Sequence, residues 1–504
     1  MNVAVDDPLI SALLDPRCYP HPVQQVEVKQ TPLSWVLLAG EYAYKIKKPV
    51  KFAFVDLSSL ELRHRDCLEE LRLNRRFAPQ LYVDVVAIGG TRQQPKIVAD
   101  GVAVEYAVRL RRFAPEQELA ALLERNAVTT GEMAALGSRL ARIHATSPVC
   151  DRSGSATRAL AVAMDNVQEL QRAAPAGHEG VAALSDWLSQ EWERVGRTAD
   201  RRCAEGAVRD CHGDLHVDNI VRIDGELTAF DCIEFNAGLR CIDVMSDVAF
   251  LLMDLQARNH YELAYAFLNG WLEAGGAYDA LRLRRFFMVH RALVRAKVAT
   301  LGGDGGRANR YLQLASRLKQ PSAPVLMITC GLSGSGKTWF SSRVMTQVGA
   351  VRIRSDVERQ RLARQSPPAA GIYSPEFNTR VYDHLQMQSQ SLLQCGECVI
   401  VDAAFLKRVE RMAFMALAAN EGARFVILHC VAPDDELRQR LEARQRAGND
   451  ASEADVSVME RQHGYWEPFT ESELTAVLQI STAEATNVTA AINHLNGLSS
   501  PPSR

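Results

Sequence analysis

The stretch Gly331-Leu332-Ser333-Gly334-Ser335-Gly336-Lys337-Thr338 constrains this chain more than any other. It fits G-x-x-x-x-G-K-[ST], a loop whose backbone N–H groups fold into a nest for phosphate oxygens. Its flanks fit the same geometry. Residues 325–330 form a short apolar run expected to be a buried strand, and residues 338–348 can follow as a helix with its positive dipole end at the loop. Gly331, Ser333, Gly334, Ser335 and Gly336 are therefore expected to cradle a nucleotide phosphate. Lys337 would reach the β- and γ-phosphates, and the Thr338 hydroxyl would ligate Mg²⁺. The competing reading is a purely structural glycine-rich turn.

Beyond the loop, apolar runs at 351–354, 398–401, 425–431 and 477–480 alternate with helical stretches. This βαβ rhythm predicts a parallel, doubly wound sheet with right-handed crossovers. Such sheets present ligand groups at their carboxyl edge. Asp356 follows the second strand, where it could bind or activate a substrate hydroxyl or simply cap the next helix. Asp402 ends the run 399–402, the place for a carboxylate that orients the Mg²⁺ shell. Arg440 and Arg444 share a helix face at i,i+4. They could close over phosphates as a lid, or form a solvated basic face.

At 504 residues the chain is too long for one core. Residues 319–324, with two prolines, read as a linker, which divides the chain into domains 1–320 and 321–504. In the first, strands are predicted at 35–38 and 42–47, then a helix capped by Asp56 or Ser58 and running to about Phe77, then strands at 82–88 and 102–110. This small lobe, about 25–112, would be an antiparallel sheet carrying one helix. The lobe that follows, about 113–318, is mostly helical, with breaks near Pro148, Gly154 and Pro175. Two short strands at 219–222 and 227–230 interrupt it, joined by Asp224-Gly225, a type I′ turn signal.

The polar loops beside those two strands carry the first half's chemistry. Cys211-His212-Gly213-Asp214-Leu215-His216-Val217-Asp218-Asn219 precedes the hairpin, and Phe230-Asp231-Cys232-Ile233-Glu234 ends it. Asp214, Asn219 and Asp231 can converge. Asn219 and Asp231 suit Mg²⁺, which takes few protein oxygens beside phosphate and water. Asp214 can accept the proton of a hydroxyl that attacks a γ-phosphate. His212 is expected to shape the loop, and Asp247 to cap a helix.

H-G-D-x-x-x-x-N followed by a strand ending in Asp resembles the catalytic and metal loops of the aminoglycoside phosphotransferase and choline kinase group, which has the protein-kinase-like fold. The resemblance spans about residues 35–318. It implies Asp214 as catalytic base and Asn219 and Asp231 as metal ligands. It also implies a strand lysine on the α- and β-phosphates, paired with a helix glutamate. Lys45 is the first choice with Lys47 the alternate, and Glu70 the partner with Glu69 second. One departure stands out: only Gly40 occupies the first hairpin, where the family carries a glycine-rich loop. The second half, about 324–481, resembles the small P-loop phosphotransferases such as gluconate kinase, polynucleotide 5′-kinase, chloramphenicol phosphotransferase and zeta toxin. The order of the halves resembles a bacterial family of two-domain proteins. The implied fold is mixed α/β and α+β: a bilobal protein-kinase-like domain, then a P-loop doubly wound parallel sheet.

Composition narrows the function classes. A net charge of −2 gives no bulk attraction to nucleic acid or anionic membrane, and no window approaches the roughly eighteen apolar residues of a membrane span. The acidic start lacks a basic n-region, so a cytoplasmic location is expected. The eleven cysteines are then expected as free thiols, with Cys395-Gly396-Glu397-Cys398 a structural turn. The expected function is ATP- and Mg²⁺-dependent phosphotransfer to a hydroxyl of a small molecule such as a sugar or amino sugar. The P-loop half would be a second kinase or an ATPase. Two alternatives remain: a regulatory nucleotide-binding switch, and a P-loop half acting on nucleic-acid ends or nucleotide-sugars. The acceptor and the oligomeric state are not readable from sequence.

Overall fold

A computed structural model describes residues 7–52, 55–98, 102–150, 155–173, 180–320, 323–447 and 455–499. The expected helix breaks at Gly154 and Pro175, the centre of the linker at 321–322, and the tail from 500 lie outside those residues. Packing divides the chain into two units. The first comprises residues 1–128, 142–159 and 199–251, and the second 129–141, 160–198 and 252–504.

The first unit is built on a six-stranded antiparallel sheet. Its strands are β1 (Val26–Gln30), β2 (Ser34–Ala39), β3 (Tyr42–Lys47), β4 (Tyr82–Gly90), β5 (Pro95–Val98) and β6 (Ala103–Arg111), in the order β1-β2-β3-β6-β4-β5. Two of these exceed the expected four. β1 lies before the first expected strand, and only Val26 of its five residues is fully buried, the pattern of a polar edge strand. β5 was hidden inside the expected loop between β4 and β6. Helix α1 (Leu60–Asn74) crosses the sheet. Its cap is Ser59, which accepts from the Leu62 N–H at 3.3 Å. Asp56 instead accepts from the Ser58 hydroxyl at 2.6 Å. Buried Cys67, Leu81, Tyr82 and Val108 form the core between helix and sheet.

The short hairpin forms as expected: β7 (Ile220–Ile223) and β8 (Glu226–Ala229) pair antiparallel through Asp224 and Gly225, at φ +50° and +82°. Helix α2 (Val244–Ala257) follows. The expectation of free thiols throughout fails at one place, since Cys150 and Cys241 are joined in a disulfide with Cα atoms 5.8 Å apart. The other nine cysteines are free, and Cys395 caps a helix end in a plain turn.

The second unit contains helices α3 (Tyr261–Gly275) and α4 (Leu281–Leu301) and the parallel sheet. The sheet strands are β9 (Val325–Cys330), β10 (Ala350–Arg354), β11 (Cys398–Asp402), β12 (Arg424–Val431) and β13 (Val477–Ser481), ordered β10-β11-β9-β12-β13 and all parallel. Every residue of central β9 is buried, as its unbroken apolar run requires. Helix α5 (Lys337–Val348) follows β9, and α6 (Ser355–Gln365) follows β10.

Helix α3 packs against edge strand β10. The Asn269 side chain donates to the Ala350 carbonyl at 2.9 Å and accepts from the Arg352 N–H at 2.7 Å. Glu273 pairs with Arg352 at 3.2 Å and Arg354 at 2.7 Å, and α4 contributes Arg284 to Glu397 at 2.6 Å. Among the described residues no helix is long and apolar enough to cross a membrane.

Candidate active sites

The first site lies on β3, α1 and the two loops around the β7–β8 hairpin. Alternation along β3 sends Lys45 and Lys47 to one face, where α1 supplies Glu70. Lys45 Nζ lies 2.9 Å from Glu70 Oε1 and 2.5 Å from Asp231 Oδ1. Both lysines considered reach Glu70, because Lys47 Nζ sits 2.6 Å from its other oxygen, 3.0 Å from Asp66, and pairs with Glu234. Glu69 turns elsewhere, to Arg72 and Arg240, each at 2.7 Å.

The electrostatics of this cluster follow from its burial. Burial opposes the lysine charges, but the surrounding carboxylates hold both ammoniums well above their ordinary value. Burial would likewise raise Glu70, yet Lys45 and Lys47 together hold it down at about 2. Glu234 goes the other way. Burial pushes it up to about 7, and repulsion from Glu70 adds to the rise against the pull of Lys47. The cluster therefore keeps one carboxyl poised to titrate near neutrality.

Asp214 accepts from Asn219 Nδ2 at 3.1 Å, and His216 Nε2 lies 3.2 Å from the same carboxylate oxygen. The Asn219 amide also donates to the Asp214 carbonyl at 3.0 Å. His212 is buried and shapes the loop as expected: its ring binds the Phe230 carbonyl at 2.9 Å, and its own carbonyl accepts from the Ile233 N–H at 3.1 Å. These two bonds stitch the loop of Asp214 to the loop of Asp231. Burial lowers the His212 pKa, which favours the neutral ring. Asp231 holds φ +63°, its N–H directed to the Tyr82 hydroxyl at 3.2 Å, and its side chain stays 43% exposed.

The expectation for Asp247 is corrected. It lies in the first turn of α2 but accepts from the His212 and Gly213 N–H groups at 3.0 and 2.9 Å and pairs with His144 at 3.1 Å. Burial would raise its pKa, and the His144 hydrogen bond and charge keep it below the usual range. It braces the loop bearing Asp214 rather than capping a helix. Sequence offered no signal for this, since partners 34 and 35 residues away are invisible to a local pattern.

The second site is a cavity of about 580 Å³ at the carboxyl edge of the parallel sheet. Ser333, Gly334, Gly336, Lys337, Thr338, Asp356, Asp402, Arg440 and Arg444 line it, which brings together the residues expected from sequence apart from Gly331 and Ser335. Ser335 is buried, its carbonyl accepting from the Thr482 hydroxyl at 2.9 Å. Gly331 sits at φ +144°, and a Cβ there would meet the Cys430 carbonyl at 2.4 Å, while Gly334 at φ +84° faces the Leu437 carbonyl at 2.9 Å. Lys337 Nζ donates to the Gly331 and Leu332 carbonyls at 2.9 and 2.7 Å. Burial lowers its pKa, with Asp402 opposing. Asp402 accepts from the Ser341 hydroxyl at 3.0 Å, one turn beyond Thr338. Arg440 donates to Thr482 Oγ1 at 2.9 Å and the Gly334 carbonyl at 3.3 Å.

Three contributors escaped the sequence reading. Gln462 accepts from the Ser333 N–H at 2.7 Å. Arg352 donates to the Thr338 carbonyl at 3.3 Å and to Ser341 and Ser342 at 3.2 and 2.5 Å. Arg359 lines the cavity beside Tyr373 and Asn378. Arg352 and Arg359 sit in the strand and helix that follow the P-loop helix, and only their clustering near Asp356 could have marked them.

Residues 42–284 match the family described as Phosphotransferase enzyme family (APH), and residues 326–469 match the AAA domain family AAA_33. An uncharacterized protein of Mycobacterium tuberculosis is 30% identical over 475 residues, covering 90% of this chain and 94% of the relative. Among solved structures, choline kinase from Cryptosporidium parvum aligns over 62% of this chain and 94% of its own, at 12% identity and a TM-score of 0.39. A gluconokinase from Sinorhizobium meliloti aligns over 35% of this chain and 95% of its own, at 19% identity and a TM-score of 0.27. The two matched segments follow one another in the order read from the motifs, and the full-length likeness runs through both, so the chain belongs to a bacterial two-domain family that joins an aminoglycoside phosphotransferase-like half of protein-kinase-like fold to a P-loop kinase-like half.

Proposed function

We propose that the protein is an ATP- and Mg²⁺-dependent phosphotransferase whose first half phosphorylates a hydroxyl on a small molecule. The observation that carries this reading is the stitched pair of loops, which holds Asp214 and Asn219 on one side and Asp231, in contact with Lys45 and Glu70, on the other. The donors fit the metal: the half-exposed Asp231 carboxylate and the Asn219 amide oxygen are hard oxygen ligands suited to Mg²⁺ beside phosphate. Bound there, Mg²⁺ neutralises charge on the β- and γ-phosphates. Lys45, steadied by Glu70, positions the α- and β-phosphates. Asp214 takes the acceptor proton as the acceptor oxygen bonds to the γ-phosphorus, the bond from that phosphorus to the β–γ bridging oxygen breaks, and ADP leaves. Asp214 and Asp218, each with a side chain 37% exposed, suit an acceptor with positive charge, such as an amino sugar.

The P-loop half is read as a second phosphotransferase. Thr338 and Asp402 offer oxygens for its Mg²⁺, Lys337 and the loop N–H groups take the phosphates, Asp356 faces the acceptor hydroxyl, and Arg440 and Arg444 close over the phosphates. A second reading, a nucleotide-sensing switch, is favoured by one observation. The β2–β3 hairpin has the single glycine Gly40, so no glycine-rich cover lies over a nucleotide in the first half.

The test is transfer of label from γ-labelled ATP to a fractionated pool of small metabolites, with wild type, Asp214→Asn and Lys337→Ala side by side. Loss of a labelled product in Asp214→Asn alone supports the first half as the kinase. Loss in Lys337→Ala alone moves that chemistry to the P-loop half and overturns the role given to Asp214. Tight ATP binding with no transfer to any acceptor puts the switch ahead.

A further inference from the structure

The cavity of the P-loop half is strongly cationic. Among the described residues, Lys337, Arg354, Arg359, Arg440, Arg444 and Arg461 line it against Asp356 and Asp402. A Mg²⁺-bound triphosphate carries about −2 and leaves part of that surplus unmatched. Arg354 and Arg440 are matched within the protein, by Glu273 and Glu436. Arg359 is not.

Arg359 is only 7% exposed. Its guanidinium donates to two neutral acceptors, the Ile372 carbonyl at 2.9 Å and Asn378 Oδ1 at 2.8 Å. Its buried Nε has no partner, and among the described residues no carboxylate pairs with it. Three other buried arginines each have a carboxylate: Arg63 has Glu105 at 2.7 Å, Arg284 has Glu397 at 2.6 Å, and Arg411 has Glu473 at 2.6 Å. A buried charge with no counter-charge is costly, and an anion bound in the cavity would supply one.

Its position says where that anion sits on the acceptor. Asp356 and Arg359 are three residues apart on α6 and both line the cavity, so they are neighbours on one helix face, with Cβ atoms about 5–6 Å apart. Tyr373, 56% exposed, lies with its ring centre 5.3 Å from the Arg359 guanidinium and can cover a bound molecule. We propose that the P-loop half takes a small alcohol that carries an oxyanion, a phosphate or a carboxylate, a few bonds from the reacting hydroxyl, with the hydroxyl at Asp356 and the oxyanion at Arg359. The inference rests on the reading of this half as a phosphotransferase, and it makes the acceptors of the two halves opposite in charge.

The test is isothermal titration of inorganic phosphate into the full chain saturated with Mg²⁺ and a non-hydrolysable ATP analogue. Wild type binds phosphate, Arg359→Lys retains binding within a few-fold, and Arg359→Gln weakens it at least about tenfold. Asn378→Asp places a carboxylate beside the guanidinium without changing side-chain size. It weakens phosphate equally, which covers the case in which Arg359→Gln does not fold. Acetate in place of phosphate tells which oxyanion the site prefers. Absence of phosphate binding in wild type, or equal affinity in wild type and Asn378→Asp, overturns the proposal. The titration needs no turnover. Arg359-dependent binding without Lys337-dependent transfer therefore rejects the kinase reading of this half and leaves the anion seat standing.

Discussion

Glu273 holds Arg352 at 3.2 Å, and that arginine also reaches the first turns of the P-loop helix, at the Thr338 carbonyl and the Ser341 and Ser342 hydroxyls. The side chain of Arg352 is 9% exposed and that of Glu273 30%. Removing the carboxylate leaves the Arg352 guanidinium with its more distant counter-charge, Asp402 at 4.0 Å. Glu273→Gln is expected to cost roughly 2 kcal/mol, below the 3–5 of a fully buried pair because Glu273 is partly solvated. The check is the urea midpoint at unchanged slope. ATP affinity of the P-loop half should fall in the same variant. An unmoved midpoint would mean that solvent already screens the pair.

Asp247 spends its two oxygens on the N–H groups of His212 and Gly213 and on His144. An amide at this position accepts at only one atom. Asp247→Asn should cost roughly 2 kcal/mol for the buried group left unsatisfied. Displacement of the loop should lower transfer by the first half roughly a hundredfold, with ATP binding to the P-loop half unchanged. Thermal unfolding and labelled transfer measured on the same preparation would show both effects.

Glu234 gives stability a pH dependence of definite sign. Its folded value of about 7 lies above the ordinary 4.5, so between those values the folded state binds more protons than the unfolded one. Its contribution therefore favours the folded state least above about pH 7 and improves as pH falls towards 4.5. Glu70 runs opposite. Held at about 2, its contribution is full above 4.5, declines as pH falls from there, and is gone below about 2. Urea midpoints of wild type and Glu234→Gln should converge towards pH 5 and separate towards pH 8, with the variant gaining on wild type as pH rises. Parallel profiles would contradict this.

The Cys150–Cys241 bond is read directly by counting thiols. The denatured, unreduced chain should react at nine sulfurs and the reduced chain at eleven. Eleven in both would mean that the two cysteines stay reduced in the isolated protein.

The two halves differed in how legible they were. The P-loop sheet announced itself because its strands are apolar on both faces, as in all-buried Val325–Cys330, and because parallel topology forces strand and helix to alternate. The antiparallel sheet gave up its central strands but hid its edges, since Val26–Gln30 fully buries a single side chain and its apolar alternation stops after Val26 and Val28. The candidate residues named from sequence came from motifs (Asp214, Asn219, Asp231, and Gly331 to Thr338), from strand ends (Asp356 and Asp402) and from one helix face (Arg440 and Arg444). Lys45 and Glu70 came from the resemblance, and the choice between Lys45 and Lys47 stayed open because both side chains of one strand face reach Glu70. Asp247, Arg352 and Arg359 were illegible because their partners come from other segments, and the disulfide because its half-cystines are 91 residues apart.

Asn269 has a consequence for how copies of this protein behave when crowded. A sheet edge with unpaired N–H and C=O groups is a template on which another chain can zip, and this is a common start to aggregation. At β10 the Asn269 amide occupies the Ala350 carbonyl and the Arg352 N–H, standing in for one residue of a neighbouring strand. A single side chain thus ends the sheet on that side, and the helix that carries it keeps a second molecule from extending the ladder.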